Sequence, residues 1–345
     1  MTGRGRANLR QIANALGLSV TTVSRALKDG PEVHPDTIRR VKIEAEAAGY
    51  VPNLAGRALR TGSTRILTAI LPMETRDYLS DIAKLPLIEG MTLEARSRGY
   101  SLNVFSTTPE ESPEENLTNV LLNSTADGVV ITRMKSQDPR IPFLIERKMP
   151  FIAFGRTDIP LDYAFVDIDN EKIAFEATRD LLELGCRRIA LQVLTLDDQS
   201  SAARMAGYTH ALRSAGLAVD PVLVSHEAFT MEASERWMQS RLCLPDPPTA
   251  LVCANELGLL GALSALRSNG RVVGQDFRIF IRDNTHIARY LSVPLFAHVV
   301  DMVSVGEKLI SGLVQQIENP DLPLRREIIA AERQHISSGT TGDGA

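Results

Sequence analysis

Ser19-Val20-Thr21-Thr22-Val23-Ser24-Arg25 is the stretch whose reading decides the architecture of this 345-residue chain. Upstream of it, Leu9, Ile12, Ala13 and Leu16 recur at spacings of three and four, which places them on one helical face, and Gly17 ends that helix. Ser19 stands where a second helix needs an N-cap acceptor. Val23, Ala26 and Leu27 then share one face, and Thr21, Thr22 and Arg25 another. Two short helices joined by a tight turn can form a helix-turn-helix, whose second helix lays its first side chains into the DNA major groove. An ordinary helical hairpin has the same periodicity, so the rest of the chain must decide.

Charge is the first context. The chain carries 38 Lys and Arg against 42 Asp and Glu, a net −4. Residues 1–62 nevertheless hold ten Lys or Arg and only five Asp or Glu, so a head of +5 precedes a body of −9. A basic head on an acidic body suits a phosphate-binding module attached to a sensor or an enzyme. At 44% hydrophobic and 23% charged residues the composition is that of a soluble globular protein with two or three domains. No apolar run approaches the roughly 20 residues that cross a bilayer, and the Arg-rich N-terminus has no apolar signal-peptide core, so a cytoplasmic location is expected. Cys186, Cys243 and Cys253 are odd in number and scattered, and read as reduced core thiols. The six histidines form no metal-ligand cluster, so neither metal nor cofactor is expected.

Lys28-Asp29-Gly30-Pro31 is a turn, and Pro35 opens a third helix, with Ile38, Val41, Ile43, Ala45 and Ala48 available for packing and Gly49 at its end. Asn53 to Arg60 has a cap-like Asn but carries Gly56 in its interior, so on its own it is a marginal helix. From Arg65 on, short apolar strands alternate with amphipathic helices. The first series has strands at 65–71, 101–105, 128–132 and 151–154; the second has strands at 188–193, 222–225, 249–253 and 278–281. Such alternation predicts two doubly wound parallel sheets, with a ligand site in the cleft at their strand ends.

Leu9-x-x-Ile12-Ala13-x-x-Leu16-Gly17-x-Ser19-x-x-Thr22-Val23-Ser24-Arg25-Ala26-Leu27, then Val33, Thr37, Val41 and Gly49-Tyr50-x-Pro52-Asn53, closely resembles the headpiece of LacI/GalR-type bacterial transcription regulators. Gly185-Cys186-Arg187-Arg188-Ile189-Ala190-Leu191, Arg204-Met205-Ala206-Gly207-Tyr208 and Cys253-Ala254-Asn255-Glu256 are similar to later motifs of that family. The resemblance implies an all-α helix-turn-helix headpiece followed by an α/β effector domain of two lobes, like the periplasmic binding proteins. The expected boundaries are a headpiece at 1–50, a hinge helix and linker at 51–63, an effector and dimerisation domain at 64–340, and a disordered tail at 341–345. Within the effector domain, lobe 1 is expected over about 64–160 and 295–321, and lobe 2 over about 161–294 and 322–340.

The resemblance also implies site residues. Thr21, Thr22 and Arg25 would read base edges, and Arg25 can donate twice to a guanine. Ser19, Asn53, Arg6, Arg10 and Lys28 would meet phosphates, which position without specifying. Leu59 matches the hinge leucine that the family wedges into the minor groove. For the effector, Arg204, Asn255 and Asp283 match the family's sugar-binding Arg, Asn and Asp. Thr132 and Arg156 stand at strand ends of the first lobe, and Phe229 offers a ring on which a sugar face can stack.

Three residues depart from the family pattern: Cys186 replaces a His, His34 stands where Ser or Asn would cap the third helix, and Arg282 enters the segment before Asp283. Arg282 fits either a ligand with negative charge or an internal partner. The function expected is a homodimeric, operator-binding repressor of carbohydrate uptake or catabolism genes, relieved by a sugar. A corepressor-dependent regulator sensing a nucleobase or phosphorylated metabolite is the alternative. A binding receptor with no DNA role is opposed by the headpiece. An enzyme is opposed by the absence of phosphate-loop, dinucleotide, nucleophile-elbow and metal motifs.

Overall fold

A computed structural model describes residues 7–50, 62–72, 82, 84–107, 112, 115, 117–119, 121, 126–193, 197–226 and 230–336. Asn53, Leu59, Phe229, Arg6 and the 341–345 tail lie outside the described residues. The chain divides into two compact units, residues 1–64 and 65–345.

Among its described residues the first unit has three helices: α1 (Leu9–Leu16), α2 (Val20–Ala26) and α3 (Pro35–Ala47). Its boundaries follow from local chemistry. The Asn8 side chain accepts the Gln11 N–H while Gln11 reaches back to the Asn8 N–H, a reciprocal capping box. Gly17, at φ +65°, ends α1 in the left-handed conformation that glycine adopts without strain. His34 does cap α3, its Nδ1 accepting the Asp36 N–H at 3.3 Å. Ile12, Ala13, Val23, Ala26, Val41 and Ala45 form the core, one apolar face from each helix.

Among its described residues the second unit contains two six-stranded sheets. The first has β1 (Ile66–Pro72), β2 (Ser101–Thr107), β3 (Gly128–Thr132), β4 (Phe151–Phe154), β5 (Ala164–Ile168) and β11 (Arg326–Ile329), in the order β11-β5-β4-β3-β1-β2. Its strand pairs are parallel. Flanking it are α4 (Lys84–Ser97), α5 (Arg140–Glu146) and α10 (Met302–Glu318). The second sheet has β6 (Ile189–Gln192), β7 (Val224–Ser225), β8 (Ala250–Cys253), β9 (Arg278–Asp283), β10 (Leu295–Val299) and β12 (Glu332–Ile336), in the order β12-β10-β9-β8-β6-β7, with only β12 antiparallel. Its helices are α6 (Asn170–Glu183), α7 (Gln199–Ser214), α8 (Met231–Leu242) and α9 (Glu256–Ser268).

The central strands are apolar on both faces because helices cover both: every residue of β3 and of β8 is buried. Helices close over glycine where backbones must meet. A Cβ on Gly207 of α7 would stand 2.0 Å from the Glu171 carbonyl oxygen of α6, and one on Gly306 of α10 would stand 2.4 Å from that of Leu87 in α4.

The expected lobe limits need correction. β5 (Ala164–Ile168) belongs to the first sheet rather than to lobe 2, and β10 (Leu295–Val299) belongs to the second sheet rather than to lobe 1. β11 (Arg326–Ile329) lies in the first sheet and only β12 returns to the second. The chain therefore passes between lobes three times, after β5, after β10 and after β11. Interstrand pairing decides this: β5 pairs with β4, and β10 with β9. The 222–225 strand is also shorter than expected, since Pro221–Leu223 form a 3-10 turn and only Val224 and Ser225 pair. Cys186 and Cys253 are buried, but Cys243 is exposed at the end of α8, so only two of the three thiols are core residues.

Candidate functional site

In the headpiece, the Ser19 hydroxyl oxygen accepts the Thr22 N–H at 3.0 Å and lies 2.8 Å from the Thr22 hydroxyl. Thr22 is thereby engaged in capping α2 and is half-buried, whereas Thr21, Arg25 and Lys28 are exposed, as is Arg10 on α1. Arg25 Nε lies 3.2 Å from Glu32 Oε1, with the side chains 57% and 48% exposed. Such a solvated pair contributes at most about 1 kcal/mol, so a base edge or phosphate can displace it. One helix end thus presents a cation and a hydroxyl beside a capped backbone, the inventory that major-groove readout uses.

The second unit holds a cleft of about 540 Å³ between its two lobes. Thr132, Arg156, Arg204 and Asn255 all line it, so four of the six expected effector residues are brought together. Thr132 ends β3, and its hydroxyl donates to the Ile70 carbonyl at 3.1 Å, leaving lone pairs for a ligand. The carbonyl just above it is pinned: Arg140 Nη2 donates to the Thr132 and Arg133 carbonyls, both at 3.0 Å, and pairs with buried Asp138. Burial pushes the Asp138 carboxyl up, but the Arg140 hydrogen bond and charge prevail and hold it below its ordinary value.

Arg156 follows β4, and its Nε donates to Asp167 Oδ2 at 2.6 Å. Burial raises Asp167 despite this partner and despite the Ile168 N–H on its other oxygen. Arg204 stands on α7, 6% exposed. Asn255 caps α9, its side-chain carbonyl accepting the Gly258 N–H at 2.8 Å, so the two donors of its amide nitrogen are what it can offer a ligand. Below it, burial pushes the Cys253 thiol up to about 12, and that thiol stays protonated, donating to Gln192 Oε1 at 3.0 Å.

Asp283 is the exception. It does not line the cleft, and it is 1% exposed. Its carboxylate accepts the N–H groups of Thr285 (3.1 Å), Ile287 (3.2 Å) and Ala288 (2.9 Å), which ties down the turn after β9. Its neighbours Arg282 and Asn284 line the cleft instead. Asp283→Ala should therefore cost about 2 kcal/mol of stability by stranding those donors. Calorimetry should show the lower unfolding temperature with ligand affinity changed less than about threefold, whereas a loss of affinity at unchanged stability would put Asp283 back in the site.

On one side the cleft walls touch. Lys135 and Asp198 form an isolated antiparallel bridge, and the Gln199 N–H donates to the Met134 carbonyl at 3.0 Å. Gln199 Nε2 reaches Asp158 Oδ1 at 2.8 Å, and Lys135 pairs with Asp197 at 3.0 Å. First-lobe residues 134, 135 and 158 thereby hold second-lobe residues 197–199 across the mouth.

The model of the periplasmic binding proteins and sugar binding domain of the LacI family matches residues 64–301, and that of the bacterial regulatory proteins of the lacI family matches residues 8–53. The chain belongs to the LacI family. A curated relative, the HTH-type transcriptional regulator AglR of Rhizobium meliloti (strain 1021), is 35% identical over 93% of this chain and 92% of its own length. A solved CelR-cellobiose complex is 26% identical, with a TM-score of 0.71, covering 97% of this chain and 100% of that one. The Lac repressor bound to ONPG shares the fold, with a TM-score of 0.82 at 20% identity over 96% and 98% of the two chains. As a LacI-family protein the chain is a DNA-binding transcriptional regulator and not an enzyme.

Several residues of this LacI-family cleft escaped the sequence reading. Lys84, Arg133, Asp158, Asp167, Asn170, Gln199 and Asn284 all line it. For Arg133 the signal was available, since it directly follows the expected strand end at Thr132. Asp167 on β5 and Asn170 at the start of α6 were hidden because β5 was not recognised as a strand.

Proposed function

We propose that this regulator binds a palindromic operator as a homodimer, represses carbohydrate uptake or catabolism genes, and releases the DNA when a sugar occupies the cleft. The observation that carries the reading is the 540 Å³ cavity, in which Arg156, Arg204, Thr132 and Asn255 converge from both lobes. A volume of that size suits a mono- or disaccharide, and bidentate donors and amides suit vicinal hydroxyls. Cellobiose in the solved CelR complex is consistent with this ligand class. Two copies of the headpiece are needed because one recognition helix makes too few contacts, and two-fold symmetry matches paired half-sites. Thr21 and Arg25 read bases, Ser19, Thr22, Lys28, Arg10 and Asn53 serve the backbone, and Leu59 is the minor-groove wedge at the operator centre. The protein works in the cytoplasm, where its operator is. Among the described residues no helix is long and apolar enough to cross a membrane.

Sugar binding pulls the two lobes into one arrangement, and the operator selects another, so each ligand weakens the other by the same factor. The test is a thermal-shift screen of the full-length protein against sugars, sugar phosphates and nucleobases, followed by a gel shift on the DNA upstream of its own gene. A neutral sugar should raise the unfolding temperature and release the DNA. A nucleobase or phosphorylated compound that tightens the DNA complex would establish the corepressor mode instead.

A further inference from the structure

The residues flanking Asp283 carry chemistry that the sugar-site assignment does not use. Strand β9 ends at Asp283, which turns away from the cleft, with Arg282 just before it and Asn284 just after it. Both flanking residues line the cleft. Arg282 is a pure donor, and its Nη1 already donates to Asn170 Oδ1 at 3.0 Å. Asn284 is 3% exposed, and its side-chain oxygen has no hydrogen-bond partner among the described residues. Its backbone is held in place: the N–H donates at 2.5 Å to Oε1 of Glu256, a carboxylate only 2% exposed at the start of α9. A buried acceptor without a donor costs free energy that a ligand donor can recover.

We infer that Arg282 and Asn284 form a donor–acceptor pair that selects a neutral hydroxyl group of the effector over an anionic one. This rests on the cleft being the effector site. A hydroxyl can accept from Arg282 and donate to Asn284 in one position. A carboxylate or phosphate oxygen satisfies Arg282 but has no proton to give Asn284, so two acceptors face each other. The pair therefore turns an arginine that alone would favour an anion into a reader of hydroxyls. It answers the question Arg282 raised in the sequence: an amide partner, Asn170, orients it, and Asn284 beside it sets the charge of what it binds.

The test uses full-length wild type, Asn284→Leu and Asn284→Ala, with cellobiose and maltose as neutral probes and glucose 6-phosphate and galacturonate as anionic ones. Calorimetric titration should show wild type binding a neutral probe at least tenfold more tightly than either anion. Asn284→Leu should weaken the neutral probe about 10- to 100-fold, the range of one buried hydrogen bond lost to an apolar neighbour. In the ligand-free protein the same substitution should leave the unfolding temperature unchanged or raise it, because an unmet acceptor has been removed. Asn284→Ala gives the same comparison if the leucine variant does not accumulate. Tighter binding of an anionic probe overturns the inference, and so does a fall of several degrees in the ligand-free unfolding temperature, which would make Asn284 structural. If no probe binds wild type, the sugar reading of the cleft fails for these ligands, while the ligand-free temperatures still decide whether the Asn284 acceptor is unmet.

Discussion

Arg25→Ala should remove operator-specific retention in a gel shift while leaving weak, salt-sensitive binding to any duplex. The side chain stands exposed on α2, and it pairs with the solvated carboxylate of Glu32. Exchanging that pair for a bidentate contact with a guanine is therefore favourable. One such contact discriminates by about 1–3 kcal/mol, and a palindrome contains it twice, so the specific complex should weaken by about 2–6 kcal/mol, or roughly 30- to 25,000-fold. Lys28 and Arg10, proposed to meet the phosphates, are unchanged, so the slope of log affinity against log salt should barely change for non-specific DNA. The headpiece should stay folded, since Arg25 lies outside the core built from Val23 and Ala26. Retention of the operator at wild-type affinity would take Arg25 out of the recognition surface.

Arg204→Ala should abolish the proposed response to sugar and leave the operator complex intact. Arg204 is 6% exposed on α7 and lines the cleft together with Thr132, Arg156 and Asn255. Hydrogen bonds from a charged donor in such a site contribute about 1.5–3 kcal/mol each, so affinity should fall roughly 100-fold. Titration calorimetry reads the affinity, and a gel shift with added sugar reads the release. The variant should hold the operator at sugar concentrations that free the wild type. Arg204→Lys should recover little, because an ammonium cannot reproduce the planar fork that spans two hydroxyls. Sugar release at the wild-type concentration would move the site elsewhere in the cleft.

These two residues were legible because each belongs to a local pattern. Arg25 follows from the cap at Ser19 and the helical spacing behind it, and those interactions span three or four residues. Arg204, Asn255, Thr132 and Arg156 were found from a motif match or from the strand-end rule, and the cleft contains all four. Asp283 was also found by motif, and the geometry turned it away from the cleft. A motif match to one position does not state which face of a strand that position will occupy, and a shift of one residue reverses the face.

The amino-acid sequence by itself determined the helix-turn-helix, the alternation of strands and helices, and the family, because caps, turn glycines and apolar periods act over a few residues. The tertiary structure alone decided which sheet β5, β10 and β11 join, how the chain crosses three times between lobes, and that Arg282 and Asn284 rather than Asp283 line the cleft. A buried parallel strand is apolar on both faces whichever sheet receives it. Its place is therefore set by hydrogen bonding to partners far away in the chain, which no local pattern encodes.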